Sequence, residues 1–92
     1  MKYLVWCRRH NSLYGKPYAL FWGYREAEGD YSSDVRVAHR FSEEDIKQFN
    51  DKDDIPIPID FLGLSEDYTD EKLINNYVKM MVEKGSLMTF IK

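Results

Sequence analysis

The sequence predicts an α+β domain: an antiparallel sheet of three to four strands with two helices packed on one face. Three observations lead there. Aromatic and β-branched residues alternate at period two near the N-terminus, which is the pattern of a strand. Two later segments place apolar residues at three- and four-residue spacing behind residues that cap helices. A length of 92 residues holds one core, so residues 1–92 are read as a single domain.

Residues 2–9 form the first expected strand, with Tyr3, Val5 and Cys7 alternating against Leu4, Trp6 and Arg8. The run from His10 to Pro17 is turn chemistry, and Gly15 is its conformationally free residue. Residues 18–25 read as a second strand, hairpin-paired with the first. Glu26 to Ser33, containing Gly29-Asp30, reads as a loop, and residues 34–40 as either a short strand or an irregular turn. Ser42 with Asp45 three residues on approximates a capping box, and Phe41 with Ile46 a hydrophobic staple, so a helix is expected to run to Asn50. Ile55-Pro56-Ile57-Pro58-Ile59 lies in an extended linker from Asp51 to Leu64 that proline keeps out of any helix. A second helix is expected from Thr69, with Leu73, Ile74, Tyr77, Val78, Met81 and Val82 on one stripe and Gly85 as its stop. Ser86 to Ile91 reads as a closing strand.

Composition narrows the class. The chain is 43% hydrophobic, 15% aromatic and 32% charged, which is globular rather than disordered. A single cysteine, Cys7, forms no internal disulfide framework and suits a reducing, cytoplasmic compartment. No apolar run is long enough to span a membrane, and the N-terminus becomes charged at Arg8, too soon for a signal peptide.

Catalytic and metal patterns are missing. His10, His39 and Cys7 have no zinc spacing. The run Asp51-Lys52-Asp53-Asp54 starts like a calcium loop, but Pro56 and Leu62 stand where that loop needs its glycine and its bidentate glutamate. No glycine-rich phosphate loop is present. The reading is a non-enzyme with no metal and no cofactor.

The formal charge of −3 conceals an uneven distribution. Residues 1–41 carry a net +3, residues 42–71 a net −9 and residues 72–92 a net +3. The acidic arc, with Glu43, Glu44, Asp51, Asp53, Asp54, Asp60, Glu66, Asp67, Asp70 and Glu71, is the first candidate surface. Such carboxylates pair with a Lys/Arg surface and steer association; their other role is to keep a face solvated. The second candidate is Trp6, Arg8, Arg9, Tyr18, Trp22, Tyr24 and Arg25, a set suited to stacking and holding single-stranded nucleic acid. Large rings also fill cores, which is its competing explanation.

Phe21-Trp22-Gly23, Gly29-Asp30-Tyr31-Ser32-Ser33-Asp34 and Ala38-His39-Arg40-Phe41-Ser42-Glu43-Glu44 together resemble a pattern in small phage and prophage proteins of unassigned function. The resemblance covers about residues 18–49, with Asp30 interrupting the Gly-Tyr pair, and brings no catalytic residues. It implies a phage or mobile-element origin and, by type, an inhibitor of host nucleic-acid machinery or defence, anti-CRISPR proteins among them. The expectation is a protein-binding module whose acidic arc docks on a basic, nucleic-acid-handling host protein, with direct nucleic-acid binding as the alternative.

Overall fold

In the computed structural model, residues 1–25, 27–68 and 80–91 are described. Five strands form one antiparallel sheet: β1 (Lys2–Cys7), β2 (Leu20–Tyr24), β3 (Ala27–Ser32), β4 (Phe41–Ser42) and β5 (Asp54–Pro58). β1 is central. Cys7 pairs with Leu20 of β2 and also with Asp54 of β5, while Tyr3 pairs with Phe41 of β4 and with Pro58 of β5. β2 and β4 therefore share one edge of β1, and β5 occupies the other. β3 lies outside β2, with Trp22 opposite Tyr31.

The first two expected strands form and pair as expected. Leu4, Val5, Trp6 and Cys7 are all buried because both faces of β1 are covered. Leu4, Trp6 and Phe21 point into the main core with Ile55, Ile57 and Leu87. Val5 and Cys7 point to the other face, where Phe41 and Phe49 pack.

Two segments that read as loop and linker are strands. Ala27–Ser32 is β3; its exposed outer position permits a polar sequence, and Asp30 takes a left-handed φ of 61°. Asp54–Pro58, expected to be unpaired, runs along the full length of β1. The alternating prolines fit because of register. Arg8 N–H donates to Asp53 O at 2.7 Å, and counting by two makes Trp6/Ile55 and Leu4/Ile57 the other hydrogen-bonded pairs. Pro56 and Pro58 thus face outward, where a ladder needs no N–H from them.

The two-helix expectation fails over the described residues. Ser42 Oγ accepts the Asp45 N–H at 3.1 Å, as a cap does. The cap leads only into a 3-10 turn, Asp45–Gln48, because Phe49 leaves helical geometry to pack on Phe41 and Trp22. Residues 69–79 of the second expected helix lie outside the described residues. Met80 to Val82 are not helical, and their carbonyls serve other segments: Met80 O accepts from Val35 N and Val82 O from Ala19 N. The expected closing strand is instead a 3-10 helix, Lys84–Phe90, which buries Leu87 alone. A second 3-10 turn, Ile59–Leu62, comes directly after β5. The sheet part of the α+β expectation stands, and a pair of helices covering one face does not.

Residues 34–40 form a turn, and Ser32 through Ala38 are all buried. A buried turn must satisfy its own backbone, and Asp34 does this. Asp34 Oδ1 accepts Arg36 N–H at 3.1 Å, and Asp34 O accepts Val37 and Ala38 N–H at 3.2 Å.

Candidate binding surfaces

The acidic residues divide by what they touch. Asp54 is buried and serves as an internal anchor, receiving Arg9 Nη1 and Trp22 Nε1 on Oδ1, each at 2.8 Å. Arg9 also reaches Asp51 at 2.8 Å. Asp51 Oδ1 accepts the N–H groups of Asp53 and Asp54, and chiefly these hydrogen bonds hold its carboxyl below the usual value, aided by Arg9. The hydrogen bond from Asp54 raises the Arg9 guanidinium above its ordinary value. Glu43 lies 3.8 Å from the N-terminal amine, and Glu44 pairs with Lys47 at 3.0 Å.

Other carboxylates remain uncommitted. Asp45, Asp60, Glu66 and Asp67 are exposed and Asp53 is half-buried; none forms an ion pair with a described residue. Asp70 and Glu71 lie outside the described residues. Beside Asp51 and Asp54 a cavity of about 490 Å³ opens, with Phe49, Ile55, Pro56 and Phe90 among its walls.

The balancing cations are partly hidden. Arg36 and Arg40, two of the seven in residues 1–41, are buried. Arg36 pairs with Asp34 at 2.8 Å. Arg40 donates to Val35 O and Ala38 O at 2.7 Å and lies 5.1 Å from the Tyr68 ring centre. Burial lowers the Arg40 guanidinium below its usual value, with Tyr68 and Asp34 acting in the opposite direction.

The aromatic set of the nucleic-acid alternative is dispersed. Trp6 is 2% exposed and belongs to the core, so it is closed to a base. Tyr18 bridges to Glu83, Tyr24 is exposed, and Arg25 is half-buried. Arg8 is exposed 5.7 Å from the Trp6 ring centre, and Arg9 is held by carboxylates. Trp22 instead belongs to a chain of rings that sequence reasoning misses: His10, Tyr31, Trp22, Phe49, Phe41 and His39, each within 5.8 Å of the next. The only signal for it in the sequence is the alternation that puts Trp22 on the face opposite Phe21; the rest depends on strand register.

Three exposed tyrosines are likewise ungrouped in the sequence. Tyr14, Tyr24 and Tyr31 line a second cavity of about 240 Å³. They come from a turn and two strands, so no spacing connects them.

No protein-family model, curated protein or solved structure matches this chain. Function must therefore be argued from these surfaces. Among the described residues no group of three or more His, Cys, Asp or Glu is placed to hold a metal ion, and no helix is long and apolar enough to cross a membrane.

Proposed function

We propose that the chain is a non-catalytic protein-binding module whose acidic face, contributed by residues 43–67, docks on a basic, nucleic-acid-handling protein and inhibits or modulates it. The observation that carries this reading is the set of carboxylates at Asp45, Asp53, Asp60, Glu66 and Asp67 without ion-pair partners among the described residues. Uncompensated surface charge acts over about 8 Å at physiological salt and steers an oppositely charged partner. Burial of Arg36 and Arg40 makes the outer surface more acidic than the sum of charges implies. A phage or mobile-element origin belongs to the same proposal and rests on the sequence resemblance alone.

Direct nucleic-acid binding is the weaker reading. Trp22 and Arg9 share Asp54, whose charge opposes a phosphate at that position.

The test is a titration with an arginine-rich peptide and, separately, a single-stranded oligonucleotide, at low and high salt. The expected result is peptide binding that weakens with salt. The triple variant Asp60→Asn, Glu66→Gln, Asp67→Asn should reduce the association rate by about tenfold. Peptide binding that is absent at low salt or unaffected by salt overturns the proposal, and tryptophan quenching by the oligonucleotide alone transfers support to the other reading.

A further inference from the structure

The β3 side of the sheet, across β1 and β2 from β5, carries a second feature. Leu13, Tyr14, Tyr24 and Tyr31 are 97, 50, 45 and 37% exposed, and all four line the cavity of about 240 Å³. Tyrosine rings grouped around one concavity are a common way to recognise a ligand, since each ring supplies large area at low conformational cost. Tyr31 is braced from behind by Trp22, with centroids 4.8 Å apart, and by the edge-on ring of His10 at 5.3 Å.

The polar part of the lining already has partners within the protein. Ser33 and Ser12 hydroxyls meet at 2.6 Å. Ser32 Oγ donates to Asp34 O at 3.2 Å and accepts Asp34 N–H at 3.1 Å. The Asp34 carboxylate takes Arg36 Nε at 3.0 Å and Nη2 at 2.8 Å. The faces of the tyrosine rings are the recognition elements.

That arrangement selects among ligand classes. Aromatic faces attract cations through the ring quadrupole. A primary ammonium or guanidinium needs acceptors for its N–H groups on leaving water, and the serine and aspartate acceptors here are occupied. An anion meets the negative ring faces and the Asp34 carboxylate. A quaternary ammonium has a full positive charge and no N–H, so it enters without losing a hydrogen bond. We propose that the cavity bounded by Tyr14, Tyr24 and Tyr31 binds a quaternary ammonium group. This group occurs on small choline-type molecules and on trimethylated lysine side chains. The site is separate from the acidic face, so either proposal stands if the other fails.

The experiment is an NMR titration of the intact chain, following tyrosine ring resonances. Choline is compared with 3,3-dimethylbutan-1-ol, its uncharged carbon counterpart. Choline should bind saturably and about tenfold more tightly than the neutral compound. Tyr24→Leu, at an exposed position, should weaken choline by about tenfold, and Tyr24→Phe should keep it within about twofold, because the ring face is retained. A third arm compares choline with a short peptide bearing trimethyllysine; the tighter ligand identifies the source. Equal binding of choline and the alcohol by the wild-type chain overturns the proposal. So does choline binding that Tyr24→Leu leaves unchanged.

Discussion

Gly23 sits on β2 with φ at +82°, and a Cβ there would run into His39 Cβ and the Ala27 carbonyl. Strain and crowding act together, so Gly23→Ala should destabilise the chain by about 3 kcal/mol, as read by urea unfolding. Asp34 is the second decisive residue. Burial pushes its carboxyl up, but hydrogen bonds and charge from Arg36, with the Met80 N–H, outweigh this and hold it below 3.8. A depressed carboxyl contributes stability in full above its unfolded value, and that contribution is lost as pH falls through the lower folded value. Asp34→Asn should therefore cost about 3 kcal/mol near neutral pH by removing the buried charge that Arg36 binds, and should flatten the acid-unfolding curve below pH 3.8. An unchanged acid limb in that variant would remove Asp34 from the account. Neither role is legible in the sequence: Gly23 has the pattern of an ordinary strand glycine, and Asp34 that of one polar loop residue among several.

β5 shows most clearly how an element is set by its neighbours. Its prolines correctly signal extended backbone, but the same prolines are what a linker would contain. They are tolerated because Pro56 and Pro58 face away from β1. The same register leaves the outer edge almost without donors. The outward N–H of Asp54 is taken by Asp51 Oδ1 at 3.0 Å, and the two prolines have none. An edge without donors cannot template another strand, which protects against edge-to-edge association. Replacing both prolines by valine should change stability little and produce concentration-dependent association detectable by light scattering. A variant that stays monomeric at every concentration would refute the edge argument. The Lys84–Phe90 segment makes a related point, because its apolar residues read equally well as a strand. It is helical because only Leu87 enters the core, so Leu87→Ala should cost about 3 kcal/mol and Met88→Ala close to nothing.

For the whole molecule, the important change concerns charge. The sequence locates the net −9 segment but does not distinguish its structural acids from its exposed ones. Asp54 and Asp51 are used to join β5 to Arg9 and Trp22, whereas Asp60, Glu66 and Asp67 face solvent. Added salt should therefore affect partner association much more than stability, which equilibrium unfolding at two ionic strengths would check. A fall in stability as large as the fall in affinity would mean that the exposed carboxylates hold the fold together. By itself the sequence determined the central hairpin, the Ser42 cap and the position of the acidic arc, all of which depend on residues close together in the chain. Local pattern carries that information because side-chain alternation and capping act over a few residues. Only the tertiary structure decided that the proline segment is a strand, that Trp6 is closed off in the core, and that Tyr14, Tyr24 and Tyr31 share one cavity. These outcomes depend on register between strands distant in sequence, and a shift of one residue would turn every side chain to the other face.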